Sequence, residues 1–183
     1  MNVSEKAPSF QLPALDGQTF DSSTLAGQPY MLAFMRFGAC PFCNLRVREL
    51  IRYAEQQEQP LPIVIVYDSP LENMQKFSIR NESPLPILAD GDSAIHKLYG
   101  VRYSQWAVLL STLANLPTVI SSMLKGSEAE VAGPTNGMPA EFLIDADGVI
   151  RDAWYGKGLT DRMPLDRVDQ FISEHGDGLA FSI

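Results

Sequence analysis

The sequence predicts an α/β fold in which a mixed central sheet is flanked by helices. Apolar, strand-like runs alternate with helical segments along most of the chain, and two of these runs are apolar on both faces. Such alternation favours a covered parallel sheet with right-handed crossovers. The last two runs are joined only by Ala146, Asp147 and Gly148, so they should form an antiparallel hairpin. The sheet is therefore expected to be mixed.

The individual elements follow from apolar runs and the residues that break them. The runs YMLAFM (30–35) and IVIVY (63–67) are apolar on both faces, as central strands of a covered sheet are. Upstream, Asp16-Gly17 separates two short alternating runs within 10–20, which predicts an N-terminal hairpin. The predicted strands of the sheet are 30–35, 63–67, 86–89, 140–145 and 149–155. The predicted helices are 41–59, 71–81, 93–99 and 164–174.

Composition limits the number of domains and the kinds of partner. The 183 residues are 45% hydrophobic and 20% charged, which fits one domain, residues 1–183, with a well-buried core. The net charge of −8 argues against nucleic acid or an anionic membrane as a partner, because both reward clustered Lys and Arg. No apolar stretch follows a basic one at the N-terminus, so the cytoplasm is the expected location.

Residues 103–126 interrupt the alternation and are predicted to form a helical insert. The part at 106–124 carries no charge over nineteen positions, which raises the question of a membrane span. Polar residues dilute it, and four apolar residues recur at helical spacing, which suits a face packed on protein. These four are Leu109, Leu113, Leu116 and Ile120. We therefore expect no membrane association, and the insert could serve as a homodimer interface or as a lid.

The only two cysteines, Cys40 and Cys43, stand in the sequence CPFC. The loop between them is too short to staple a fold, which leaves redox or metal chemistry. A zinc site needs about four ligands, and both histidines lie far away in the sequence, so no metal or other cofactor is expected. The pair opens a helix, where unpaired N–H groups lower the pKa of a thiol. Helical spacing turns Cys43 inward with Val47 and Leu50 and leaves Cys40 at an exposed cap, as the attacking thiol.

Five segments resemble the alkyl hydroperoxide reductase/thiol-specific antioxidant (redoxin) family, especially its peroxiredoxin-like branch that keeps a CxxC. They occur in the family's order over nearly the whole chain. The segments are APSFQLPALDGQTF, MRFGACPFCNLRVREL, LPILAD with IHKLYGV, MPAEFLIDADGVI, and WYGKGLTDRMP. The resemblance implies a thioredoxin-like fold and a dithiol that cycles to a disulfide. It also implies thiol, disulfide or hydroperoxide substrates and a thioredoxin- or glutathione-type reductant.

The resemblance also implies roles for residues around the dithiol. The cis-proline of this family maps onto Pro139, after Met138, where it would offer backbone atoms to an incoming thiol. The alternative is a proline that simply begins a strand, where its missing N–H does no harm. Pro41 and Phe42, between the cysteines, are expected to tune the reduction potential.

The chain departs from the peroxiredoxin pattern. If Cys43 is aligned with the peroxidatic cysteine, Cys40 occupies the threonine position and Arg36 the proline position, while the peroxide-binding arginine falls at Pro139. Two side chains that activate peroxide are thus missing from their expected places. Arg36 either supplies positive charge near the thiolates or is solvated. Thioredoxins carry a buried aspartate where this chain has Phe34, so proton transfer needs another group.

The sequence leaves the role of Glu141 and the reaction open. Glu141 lies in an otherwise apolar strand, where a buried carboxylate would have a raised pKa and act as acid or base; an exposed strand residue is the alternative. The leading hypothesis is a thiol–disulfide oxidoreductase that cycles Cys40 and Cys43. The next is a hydroperoxide reductase, with the peroxidatic role on Cys43. The third is a non-catalytic binding module with inert cysteines and the insert as its partner surface.

Overall fold

A five-stranded mixed sheet forms the centre of the structure, a computed structural model that describes residues 1–77, 83–114, 116, 133–176 and 179. The five strands are β3 (Tyr30–Met35), β4 (Ile63–Tyr67), β5 (Ile87–Ala89), β6 (Ala140–Ile144) and β7 (Ile150–Tyr155). They lie in the order β5-β4-β3-β6-β7. β3 and β4 pair in parallel, as do β4 and β5, whereas β6 is antiparallel to both β3 and β7. The predicted mixed sheet and its closing hairpin are confirmed.

A separate two-stranded hairpin precedes the sheet, as predicted. Its strands are β1 (Gln11–Pro13) and β2 (Thr19–Asp21), which pair antiparallel. The turn contains Gly17 at φ +87°, a left-handed conformation that glycine adopts without a Cβ penalty. The Asp16 carboxylate accepts the Gln18 N–H at 2.9 Å and so closes the turn.

The helices flank the sheet and agree with the prediction in order but not in every boundary. They are α1 (Pro41–Glu55), α2 (Leu71–Phe77), α3 (Ala94–Leu98), α4 (Gln105–Ala114) and α5 (Leu165–His175). The predicted end of α1 at Gln59 is wrong, because residues 56–59 are polar and none of them is buried, so no packing extends the helix. The predicted end of the second helix, at Asn81, lies outside the described residues.

The predicted helical insert at 103–126 is described only in its first half, where it forms α4. The expectation that its leucine face packs on protein is wrong within the described residues, since Leu109, Leu113 and Leu116 are 50%, 61% and 48% exposed. The opposite face of α4 turns inward because its smaller side chains allow a close approach: the Ser111 hydroxyl accepts the Leu159 N–H at 3.1 Å. Ile120 lies outside the described residues. None of the described helices is long and apolar enough to cross a membrane.

Two hydrophobic clusters fill the two faces of the sheet, and one of them contains the dithiol. The cluster with Cys40 and Cys43 joins β3 and β4 to the buried faces of α1 and α5. The other cluster joins the same strands to the hairpin and to Tyr99. Because β3 leads directly into α1, the sheet places both cysteines beside the ends of its parallel strands, next to Tyr67 of β4.

Candidate active site

Local structure places Cys40 at the start of α1. The strand β3 ends at Met35, and Pro41 is the first residue of the helix, a position that tolerates its missing N–H. Cys40 is the N-cap residue, and its backbone N–H donates to the Phe37 carbonyl at 3.0 Å. Phe42 is buried in the same cluster as the cysteines. The predicted strand–CPFC–helix arrangement is therefore confirmed.

The two sulfurs form a reduced, buried pair. Both cysteines are free, and the Cys43 thiol donates to Cys40 Sγ at 2.9 Å. Cys40 is 0% and Cys43 is 1% exposed, so the expected exposed position of Cys40 is wrong. The helix start is enclosed because Met138 and Leu159 belong to the same cluster, with Val108 of α4 packed against it. Within the described ranges, no group of three or more His, Cys, Asp and Glu could hold a metal ion.

Arg36 is buried against the dithiol. Its Nη1 donates to Cys40 Sγ at 3.8 Å, and its backbone N–H donates to Cys43 Sγ at 3.4 Å. Nη2 donates to the Thr135 carbonyl, and the guanidinium lies 5.1 Å from the centroid of the Phe37 ring. The side chain is therefore not solvated, and its charge lies beside Cys40.

The environment separates the pKa values of the two thiols. Burial raises the pKa of Cys40, but the hydrogen bond from Cys43 and the charge of Arg36 outweigh it and lower the pKa to about 6. Burial raises the pKa of Cys43 well above its usual value, and the adjacent Cys40 raises it further. At neutral pH the pair consequently holds one thiolate, on Cys40, and one thiol, on Cys43.

Tyr67 and Asn44 also belong to the site, although the sequence analysis missed both. The Tyr67 hydroxyl donates to Asn44 Oδ1 at 2.7 Å, and Asn44 Nδ2 donates to the Gly38 carbonyl at 3.2 Å. Burial raises the pKa of Tyr67 well above its usual value, and the neighbouring cysteines raise it further, so the phenol stays neutral. Asn44 directly follows Cys43 in the sequence, and this adjacency to the dithiol could have identified it as a candidate site residue.

Glu141 is buried and ion-paired with Arg46, so it is not the exposed strand residue of the alternative interpretation, and its role as acid or base stays a prediction. Arg46 of α1 donates to it through Nε and Nη2, both at 2.8 Å, and the Met163 N–H donates to Oε2 at 2.8 Å. Arg46 Nη2 also donates to the Met163 carbonyl at 2.7 Å. Arg46 was not predicted from the sequence, although its position between Cys43 and Val47 places it on the buried face of α1.

Arg162 is a second arginine near the dithiol that the sequence analysis missed. It lies in the loop formed by residues 156–163, and its charge lowers the pKa values of Cys40 and Cys43 against the larger effect of burial. Its Nη1 reaches the Asp161 carbonyl only at 3.5 Å. Nothing in the local sequence distinguishes it from an exposed loop arginine.

The prediction of a cis-proline at Pro139 is wrong, because none of the described peptide bonds is cis. Hydrogen bonds fix the backbone on either side of this peptide bond: the Met138 N–H donates to the Arg102 carbonyl at 2.8 Å, and the Pro139 carbonyl accepts the Gly156 N–H at 2.9 Å. Pro139 therefore directly precedes β6, a position at which its missing N–H is harmless. A contact of Met138 or Pro139 with substrate stays a prediction, as does the effect of Pro41 and Phe42 on the reduction potential.

The low pKa of Cys40 has a direct spectroscopic test. The ultraviolet absorbance of the thiolate in the reduced protein is expected to titrate with a midpoint near pH 6. Arg36→Gln should raise this midpoint, because it removes a positive charge beside Cys40, whereas exposed Arg48→Gln on α1 should leave it unchanged. Since the folded state lowers this pKa from 9.0, the contribution of Cys40 to stability is full above pH 9 and falls as the pH drops through 6. A wild-type midpoint near pH 9 would contradict the assignment.

Solved structures with similar folds include proteins of both thiol–disulfide and peroxidase chemistry. A protein proposed to be thiol:disulfide interchange protein DsbE from Chlorobium tepidum is 20% identical, with a TM-score of 0.62 over 95% of this chain and 97% of that chain. Thiol peroxidase from Chromobacterium violaceum is 15% identical, with a TM-score of 0.65 over 95% and 87%. A variant of PrxQ from Xylella fastidiosa is 15% identical, with a TM-score of 0.65 over 95% of each chain. At these identities the likeness shows the fold alone, which is thioredoxin-like as predicted.

A family match extends beyond the fold. The model of the AhpC/TSA family matches residues 3–153, a range that contains both cysteines, Arg36 and Glu141. A comparison with curated protein sequences gave no match. The predicted resemblance is confirmed by the family match, and the chain belongs to the AhpC/TSA family.

Proposed function

We propose that this chain is a thiol–disulfide oxidoreductase in which Cys40 attacks and Cys43 resolves. The observation that carries the proposal is the asymmetry of the pair: the sulfurs are 2.9 Å apart, and the pKa of Cys40 is lowered while that of Cys43 is raised. A thiolate is the attacking species in exchange, and the neighbouring thiol is within reach of the mixed disulfide that follows.

The proposed cycle oxidises the pair and reduces the substrate. The Cys40 thiolate attacks one sulfur of a disulfide; a new S–S bond to Cys40 forms, the substrate S–S bond breaks, and one half leaves as a thiolate. Cys43 loses its proton to that thiolate or to solvent, then attacks Cys40 Sγ and releases the second half. The substrate disulfide gains the two electrons that the cysteines lose. A thioredoxin- or glutathione-type thiol would return the pair to its reduced form.

Direct reduction of hydroperoxides is the second candidate, and the burial of both sulfurs favours it, because a peroxide is small. The Cys40 thiolate would attack the terminal peroxide oxygen and break the O–O bond, which leaves a sulfenic acid on Cys40 and an alkoxide. The alkoxide takes a proton from solvent and leaves as an alcohol. Cys43 would then condense with the sulfenic acid to a disulfide and release water. The lowered pKa of Cys40 supports Cys40, rather than Cys43, as the attacking sulfur in this reaction too.

A binding module without catalysis is the least supported alternative. The Arg36 guanidinium lies 3.8 Å from Cys40 Sγ and stabilises the thiolate, which a cysteine with a purely structural role does not require. Thiol titration with and without an oxidant separates the two cases, because a scaffold would form no reversible intramolecular disulfide.

A cytoplasmic location and a homodimer stay predictions.

The test of the proposed function is trapping of the first intermediate. Reduced Cys43→Ser is expected to accumulate a stable mixed disulfide on Cys40 when it meets a disulfide substrate, because the resolving thiol is gone, and mass spectrometry locates the adduct. Parallel initial rates of the wild type with disulfides and with hydroperoxides decide between the two candidates. An adduct on Cys43 in the Cys40→Ser variant, with none on Cys40 in Cys43→Ser, would overturn the assignment of roles.

A further inference from the structure

We propose that Arg36 and Arg162 form a two-guanidinium subsite beside Cys40 and that the dithiol consequently acts on small disulfides bearing a carboxylate near the reacting sulfur. The inference rests on the proposed thiol–disulfide function and names its substrate class. It concerns Arg162 above all, since this arginine lies beyond the range matched by the family and is not part of the CPFC motif.

Arg36 offers a donor that nothing in the described structure uses. The residue is 6% exposed, Nη1 reaches Cys40 Sγ, and Nη2 reaches the Thr135 carbonyl. Its Nε is buried and has no hydrogen-bond partner among the described residues. A buried guanidinium N–H without a hydrogen-bond partner lowers the stability of the folded state, and an anionic acceptor would supply the missing partner.

Arg162 carries the same kind of unused donor and is held in place by its neighbours. Its Nε is buried without a partner in the described part of the chain. The next residue, Met163, is tied at both its N–H and its carbonyl to the buried Glu141–Arg46 pair. On the other side, the Leu159 N–H bonds to Ser111 of α4. The 156–163 loop is thus anchored at two points. Its residues Leu159 and Met163, on either side of Arg162, belong to the buried cluster that contains Cys40 and Cys43. The charge of Arg162 also lowers the pKa of Cys40 against the effect of burial.

Three carboxylates near these arginines already have other donors. Asp68, whose backbone N–H donates to the Arg36 carbonyl at 2.9 Å, accepts from the Ser93 and Tyr103 hydroxyls. Asp161, adjacent to Arg162, accepts from Trp154 Nε1 at 3.1 Å and from the Lys157 N–H at 2.7 Å. Glu141 is paired with Arg46. Tyr67 is neutral and these carboxylates are paired, so in the described part of the chain the Cys40 thiolate is the anion that lies against Arg36. A second anion, supplied by the substrate, would balance the site.

The size and charge of the substrate follow from the surroundings. Both sulfurs are buried, so a small molecule gains access with less displacement of Met138 and Leu159 than a folded protein would need. The chain carries a net charge of −8, which repels anions at long range. A preference for an anionic disulfide would therefore have to arise from the two arginines. Guanidinium groups recognise carboxylates through paired N–H donors.

The experiment compares two disulfide probes that differ in charge. Dithiobis(nitrobenzoate) carries a carboxylate on each ring, and dithiodipyridine is neutral. Single-turnover rate constants of the reduced protein with each probe, normalised to those of a free cysteine derivative, give a charge preference. The wild type is expected to prefer the anionic probe, and Arg162→Gln should reduce the preference by about tenfold, as expected for loss of one charge-assisted hydrogen bond.

Two further variants separate charge from structure. Arg162→Lys keeps the charge and should restore most of the preference, which a merely structural role would not predict. Arg48→Gln, on the exposed face of α1, makes the same change in net charge and should leave the preference unaltered. Arg36→Gln is unsuitable as the main test because Arg36 contacts Cys40 Sγ directly and lowers the pKa of Cys40 more than Arg162 does. The smaller pKa change expected in Arg162→Gln alters the thiolate fraction for both probes alike and so cancels in their ratio.

The outcomes distinguish this inference from the proposed function. Wild type that reacts with both probes but shows no charge preference, or a preference that Arg162→Gln leaves intact, would overturn the subsite and leave the exchange activity standing. Loss of reaction with both probes in Arg162→Gln but not in Arg162→Lys, without a change in their ratio, would also overturn it. Wild type that forms no Cys40–Cys43 disulfide with either probe would overturn both.

Discussion

Substitution of Cys40 by Ser is expected to lower turnover with disulfides and with hydroperoxides by roughly three orders of magnitude or more, because a serine hydroxyl is not ionised near neutral pH. In the wild type, the pKa of about 6 makes most of Cys40 a thiolate at neutral pH. Cys43→Ser should keep the first attack and lose the resolution step, so a single turnover proceeds and the cycle then stops. Stopped-flow single-turnover rates and steady-state rates measure the two effects separately.

The control for this pair of variants is stability. Both positions are almost completely buried, so a serine hydroxyl at either one needs a hydrogen-bond partner. Urea unfolding of the two reduced variants should show similar losses of stability, and their difference in first-turnover rate then reports chemistry. If Cys40→Ser retained a rapid first turnover with hydroperoxide and Cys43→Ser lost it, attack would belong to Cys43, as the alignment with peroxiredoxins suggests.

The second large effect is expected on stability: Glu141→Leu should lower the free energy of unfolding by about 3–5 kcal/mol. Glu141 is 1% exposed and receives two hydrogen bonds from Arg46, itself buried, and one from the Met163 N–H. Removal of the carboxylate leaves the buried guanidinium with only the largely exposed Glu49 as a counter-charge. Urea denaturation measured at neutral pH gives the change directly.

Two variants test whether this loss comes from the unpaired charge. Combining Glu141→Leu with Arg46→Met should recover much of the stability, because a buried ion pair replaced by apolar side chains is often neutral in its effect. Glu49→Gln is the matched control, since Glu49 also bonds to Arg46 at 2.9 Å but is largely exposed. Its effect should stay within about 1 kcal/mol. A Glu141→Leu variant no less stable than Glu49→Gln would contradict the importance of the buried pair.

The fold was predictable where local patterns coincide with burial. The strands β3 and β4 are buried along their whole length, so their continuous apolar sequences identified them as central strands. The hairpin was predictable because Asp16 and Gly17 both favour a tight turn: the carboxylate accepts a backbone N–H, and the glycine adopts a positive φ without a Cβ penalty. The predicted end of α1 was wrong because helix-forming residues after Glu55 gain no packing. In α4, spacing identified a helix, but it did not show which face turns inward.

The candidate site was predictable only in part. Cys40 and Cys43 are three residues apart and lie at a strand–helix junction, so sequence locates them both. Arg36 was predicted as a candidate charge near the thiolates because it precedes the two cysteines on the same segment. Glu141 was noticed as a charge in an apolar strand, but its partner Arg46 is 95 positions away. A contact between two such distant positions leaves no periodic pattern in a single sequence.

By itself, the sequence determined the order of the strands and helices, the dithiol and its place at the start of α1, because these depend on neighbouring residues and on periodicity. Tertiary structure alone decided that Cys40 is enclosed, that Arg46 neutralises Glu141, and that Arg162 comes near the sulfurs. It also decided the direction in which each thiol pKa moves. The physical reason is that burial and charge act through space, and the groups responsible come from segments that only the folded sheet brings together.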